Sequence, residues 1–126
     1  MQFTPSVVPQ THLLSLKTQE QFEALWNPPN DSMPKYPILI NFTAKWCGPC
    51  QKVDWNFLLE EFQDKFASLY KCDVDENKYT PGFCGARKIP SWCILKGPKQ
   101  MIGPVQISET SQIASWLFTS LQTLKI

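Results

Sequence analysis

Cys47 and Cys50, with two residues between them, are the side chains in this sequence with the shortest route to chemistry. They sit in Trp46-Cys47-Gly48-Pro49-Cys50, after the apolar run Ile38-Leu39-Ile40-Asn41-Phe42 and before an amphipathic run from Gln51 to Phe66. A buried strand therefore ends, and a helix begins, at the two thiols. Unpaired N–H groups polarise a helix N-terminus positively. A thiol there converts readily to the thiolate, the form that attacks disulfides. The competing use of such a pair is half a zinc site. Zinc takes four ligands, and the sequence has no second C-x-x-C or C-x-x-H.

The elements that must hold this pair can be read from pattern. Residues 1–10 form an irregular arm interrupted by Pro5 and Pro9, and 11–126 a single domain. Thr11 to Leu16 suits a short strand, and its His12 reads as a structural or surface histidine. Thr18 and Gln21 match a capping box for a helix through Trp26, with Phe22, Leu25 and Trp26 on one face. Asn27 to Pro37 is a surface loop rich in Pro, Asn, Asp and Ser. Pro37 to Thr43 is a continuous apolar run, the pattern of a central strand buried on both faces. From Cys47 to Phe66, Val53, Phe57, Leu58, Phe62 and Phe66 recur at helical spacing and predict one long helix.

Ser68 to Asp75 is a further strand. Glu76 to Ala86, holding Pro81, Gly82 and Gly85, predicts a short or broken helix. Ser91 to Lys96 and Met101 to Ile107 form a hairpin about Gly97-Pro98-Lys99-Gln100. Ser108, Glu109 and Ser111 open a terminal helix striped with Ile113, Trp116, Leu117 and Leu121. The order β-α-β-α-β-α-β-β-α places the chain in the α/β class. It predicts a mostly parallel sheet, mixed because of the terminal hairpin.

Composition bounds the function. A chain of 126 residues, 43% hydrophobic and 13% aromatic, can bury a core without metals or structural disulfides. A net charge of +1 with no run of Lys or Arg gives no reason to expect nucleic acid or an acidic membrane surface as partner. No apolar stretch approaches the roughly 20 residues of a membrane span. The first ten residues carry neither a basic n-region nor Arg, so no export or mitochondrial signal is expected, and the setting reads as cytoplasmic and reducing. Five cysteines are too sparse for a disulfide scaffold.

The sequence resembles the thioredoxin family from about Thr11 onward. The resemblance rests on Ile38–Phe42 leading into Ala44-Lys45-Trp46-Cys47-Gly48-Pro49-Cys50. It continues in Lys71-Cys72-Asp73-Val74-Asp75-Glu76-Asn77, then Gly85-Ala86-Arg87-Lys88-Ile89-Pro90-Ser91, and ends at Gly103. It implies the thioredoxin fold, a central mixed β-sheet of about five strands flanked by about four helices. It also implies a thiol-disulfide oxidoreductase that reduces protein disulfides. Cys47 would attack and form a mixed disulfide, and the more shielded Cys50 would resolve it, leaving a redox-active Cys47–Cys50 disulfide. Gly48 and Pro49 tune the loop, and no histidine lies between the cysteines to favour an oxidant. Trp46 would cover the site, beside Lys45. Ile89-Pro90 looks like the family's cis-proline turn against the dithiol, with a backbone free to pair with substrate. Gly103 would let substrate backbone approach.

No cofactor is implied. The chain has no nucleotide-binding fingerprint, so electrons would come from a separate thioredoxin-reductase-like flavoenzyme using NADPH. The protein is expected as a monomer. The alternative is a thioredoxin-fold binding module with a weak or non-catalytic redox centre; an oxidase or isomerase is disfavoured by Gly48-Pro49.

Three features depart from the family pattern. Asn41 stands where an acid under the dithiol is common, so Lys71, which matches the family's lysine, lacks its partner, and Asn41 cannot take a proton near neutral pH. Thr43 replaces a frequent aromatic. Trp55 replaces a proline that often kinks the long helix, which predicts a straighter one. Cys72 and Cys93 read as buried small hydrophobes. Cys84, in the Pro/Gly-rich segment, reads as the most exposed of the remaining thiols and as a route to an oxidation-dependent dimer.

Overall fold

The computed structural model describes residues 13–29 and 36–124. The expected arm, Thr11, His12 and the middle of the Asn27–Pro37 loop lie outside the described residues. The strands are β1 (Leu13–Ser15), β2 (Ile38–Thr43), β3 (Ser68–Asp73), β4 (Ser91–Gly97) and β5 (Gln100–Gln106). The helices are α1 (Gln19–Trp26), α2 (Gly48–Gln51), α3 (Trp55–Phe62), α4 (Tyr79–Cys84) and α5 (Thr110–Leu124).

β2, buried at all six positions, is the middle strand of the order β1-β3-β2-β4-β5. β1 and β2 both pair parallel with β3, while β4 pairs antiparallel with β2 and with β5. The sheet is thus evenly mixed rather than mostly parallel. The reason is length: α4 has six residues, about 9 Å of helix, too short to carry the chain back along the sheet. β4 therefore starts at Ser91, opposite Phe42 near the end of β2, and runs the other way.

Strand alternation divides the core into two layers. Leu39, Leu69, Trp92 and Ile94 pack against Leu58, Leu59 and Phe62 of α3 and Ile113 and Leu117 of α5. On the other face Ile38, Ile40, Phe42, Cys72, Cys93 and Leu95 pack with Phe22 of α1 and Cys84 of α4. Each of the larger side chains, fully buried, contributes about 1.5–3 kcal/mol of transfer free energy. α1 begins as expected: Thr18 Oγ1 accepts the Gln21 N–H at 3.1 Å and Gln21 Oε1 accepts the Thr18 N–H at 3.1 Å.

The single long helix expected after Cys47 is two helices, giving five in all among the described residues. The first turn ends at Gln51, and buried Val53 turns toward the core. Asp54 then caps α3, its carboxylate accepting the Phe57 N–H at 3.1 Å while its own N–H donates to Thr110 Oγ1 at 3.0 Å. A new N-cap, held by α5, stops the helix from running straight through Trp55. Phe57, expected in the apolar stripe, is 42% exposed, and Leu59 takes the buried place.

Candidate active site

The site is built where β2 hands over to α2. The Cys47 N–H donates to the Ala44 carbonyl at 3.3 Å, which turns the chain tightly off the strand. Cys47 is then the N-cap of α2, and its Sγ accepts the Cys50 N–H at 3.2 Å. Pro49 occupies the first turn, where its missing N–H costs nothing. Cys47 and Cys50 are joined by a disulfide, with Cα atoms 5.3 Å apart. The two are equally enclosed, at 5% and 6% exposure, so Cys50 is not the more shielded. What distinguishes them is position: Cys47 lies outside the first helical residue and takes a backbone N–H, and Cys50 lies within the turn.

Trp46 is 69% exposed beside the disulfide, and its indole N–H donates to Asp75 Oδ2 at 2.8 Å. Asp75 is in turn held by its N–H to Asp73 Oδ1 at 2.8 Å. Nothing local in the sequence marks Asp75 for this role, because it lies 29 positions from Trp46. Ile89 and Val74 pack against Ala44, Cys47 and Cys50. The Ile89–Pro90 peptide bond is cis, as expected, and Pro90 is buried. Gly48 and Pro49 are exposed at the mouth. Gly103 has φ +92°, and a Cβ there would lie 2.7 Å from the Trp92 carbonyl oxygen. Its missing side chain is thus required by its own neighbour strand, β4.

Asn41 is 2% exposed, on the sheet face of Leu39, and its Nδ2 donates to the Ser91 carbonyl at 3.3 Å. Lys71, opposite Asn41 on β3, sets its ammonium 5.6 Å from the centroid of the Trp55 ring. The lysine without its acid therefore has an aromatic neighbour. Trp55 in turn packs on Trp92, ring centroids 5.4 Å apart.

Cys72, Cys84 and Cys93 are all buried. For Cys84 this reverses the expectation: it closes α4, whose last turn is pressed onto the sheet before Gly85 leaves it at φ +83°. Burial, then the charges of Cys84, Asp73 and Glu76, push the Cys72 thiol up to about 12. A hydrogen bond between Cys93 and Cys84 lowers the Cys84 thiol and raises that of Cys93, which burial raises further. Among the described residues no three His, Cys, Asp or Glu side chains are grouped so as to hold a metal ion. No described helix is long and apolar enough to cross a membrane.

Residues 15–119 match the family model described as Thioredoxin. Thioredoxin of Rickettsia typhi is 31% identical over 87 residues, 68% of this chain and 82% of that protein. Thioredoxin of Haemophilus influenzae is 33% identical over 84 residues, 64% of this chain and 77% of that protein. Among solved structures, Malassezia sympodialis thioredoxin superposes with a TM-score of 0.69 at 23% identity, covering 91% of this chain and 96% of that one. Thioredoxin from Trypanosoma brucei brucei gives a TM-score of 0.71 at 21% identity, covering 87% and 91%.

Proposed function

The chain belongs to the thioredoxin family and is a thiol-disulfide oxidoreductase, a protein-disulfide reductase, and on that premise we propose that Cys47 attacks and Cys50 resolves. The observation that carries this division of roles is the bond from the Cys50 N–H to Cys47 Sγ at the start of α2. Such a bond favours negative charge on Cys47 over Cys50.

The reduced protein presents Cys47 as thiolate to a substrate disulfide. The Cys47 sulfur bonds to one substrate sulfur, and the other leaves as a thiolate. Cys50 then gives up its proton and attacks Cys47 Sγ, which restores the Cys47–Cys50 disulfide and releases the substrate as a dithiol. Asn41 cannot accept that proton, so it passes to water or to the departing substrate thiolate.

The substrate lies against Trp46, Gly48, Pro49, Ile89 and Pro90, with Gly103 at the far edge. Trp46 is braced for this by Asp75. A separate thioredoxin-reductase-like flavoenzyme returns two electrons from NADPH, and the protein works as a monomer in the cytoplasm. Insulin-disulfide reduction driven by dithiothreitol tests the reading. The parent accelerates precipitation of the freed insulin chain, and Cys47→Ser abolishes the acceleration. Equal rates with the two proteins would overturn it.

A further inference from the structure

A groove of about 300 Å³ opens between Trp46 and α4. Part of its wall is apolar and belongs to the active site: Trp46, Val74 and Ile89 line it, and Val74 and Ile89 also pack against Cys47 and Cys50. The rest includes two cations, Lys78, which precedes α4, and Arg87, which follows it. Both are exposed, and no acidic residue lines the groove. Among the described residues neither cation has an ion-pair partner. The acids close in sequence are engaged elsewhere. Asp75 accepts the Trp46 indole N–H at 2.8 Å, and Asp73 and Glu76 line a separate polar cavity with Lys45 and Lys71. The fold thus leaves two unneutralised cations on a surface continuous with the dithiol.

We propose that this groove selects protein disulfides whose attacked cysteine has an acidic side chain within two or three residues of it, with Lys78 and Arg87 receiving the carboxylate. The selection rests on Cys47 as the attacking thiol. Ile89 sets the reach, since it packs on the dithiol and lies two residues from Arg87. Two residues of extended chain span about 7 Å. A substrate strand laid along Ile89 with its cysteine at Cys47 therefore carries a neighbouring side chain to Arg87. A glutamate or aspartate suits this wall. Its methylene groups lie on the apolar surface, and its carboxylate meets a guanidinium that can hold it through two N–H groups. A lysine or arginine at the same place meets two like charges instead, so the groove rejects as well as selects. Both cations are exposed, so the pairing is weak enough to release product and is screened by salt. It acts on encounter and orientation, and the exchange at Cys47 is unchanged.

Two disulfide-bonded peptides test the proposal on the full chain, differing only in Glu or Gln at the second and third positions on either side of one cysteine. Each is mixed with the reduced protein, freed of other reductant, and the second-order rate of reduction is read by acid quench and chromatography. The Glu peptide is expected to react about fivefold faster at low ionic strength, as two exposed charge pairs allow. That ratio falls toward one in roughly 0.5 M salt. It also falls toward one in the Lys78→Gln, Arg87→Gln double variant. The Lys17→Gln, Lys65→Gln double variant removes the same charge outside the groove and keeps the ratio. A ratio that survives the salt or the Lys78 and Arg87 substitutions would overturn the proposal. So would one lost equally in the Lys17 and Lys65 variant. Equal reduction of both peptides by the parent overturns the proposal alone, whereas reduction of neither overturns the role of Cys47 and the proposal with it.

Discussion

Lys71 places its ammonium over the ring of Trp55, 5.6 Å from the centroid, on the sheet face shared with Asn41. Two departures from the family pattern, a missing acid and a tryptophan in place of proline, thus meet in one structural unit. Trp55 is also half-buried on Trp92. Trp55→Ala is expected to cost about 2–3 kcal/mol of stability in urea, and Trp55→Phe about 1 kcal/mol. Lys71→Met should cost about 0.5–1 kcal/mol in the parent and nothing further in Trp55→Ala. An unchanged cost in the double variant would show that the two side chains do not interact.

Asn41→Asp puts a buried carboxyl on β2, the strand that leads into the dithiol, and removes the amide that donates to the Ser91 carbonyl. Thiolate absorbance in the reduced protein is expected to show a Cys titration moved upward. Stopped-flow resolution of the mixed disulfide should quicken, because a proton acceptor is restored. The lost hydrogen bond and the buried charge should destabilise the fold by about 1–3 kcal/mol. Thiol titration and resolution kinetics both equal to the parent would remove Asn41 from the mechanism.

Asp75 restrains the exposed lid through the indole of Trp46. Asp75→Ala is expected to lower kcat/KM for a protein disulfide by about threefold to tenfold, chiefly through KM, given a net strength of about 0.7–1.4 kcal/mol for an exposed hydrogen bond. Stability should change little, since the residue is exposed. Steady-state kinetics with insulin and thioredoxin reductase would read this, and an unchanged KM would argue that Trp46 needs no brace.

Burial raises Cys72 from 9.0 to about 12, so the folded chain keeps this proton at pH values where the unfolded chain has lost it. Unfolding therefore releases a proton above pH 9. The stabilising contribution is complete below that pH and falls as pH rises toward 12. Urea midpoints measured near pH 8 and about pH 10.5 should fall more steeply for the parent than for Cys72→Ala. Parallel slopes would contradict the assignment.

The parts of this molecule legible in the sequence were those specified within a few residues. Thr18 and Gln21 announce α1 by a capping box, Cys47 to Cys50 announce the dithiol, and Ile38 to Thr43 announce the buried central strand. What was hidden depends on partners far along the chain. The break before Trp55 is made by Asp54, steadied by Thr110 56 residues away. The apolar spacing of Val53, Leu58 and Phe62 keeps helical phase across that break and so conceals it. The brace on Trp46 comes from the next strand end. Cys84 looked exposed because its neighbours are Pro and Gly, yet α4 turns its last residue inward.

The division of work between Cys47 and Cys50 is tested most directly by trapping. Reduced Cys50→Ser is to be mixed with a disulfide-bonded protein substrate, quenched in acid, and mapped by peptide mass. A substrate chain joined to Cys47, released by dithiothreitol and absent from Cys47→Ser, is the predicted result. A mixed disulfide on Cys50 in the Cys47→Ser protein, with none on Cys47 in Cys50→Ser, would contradict it.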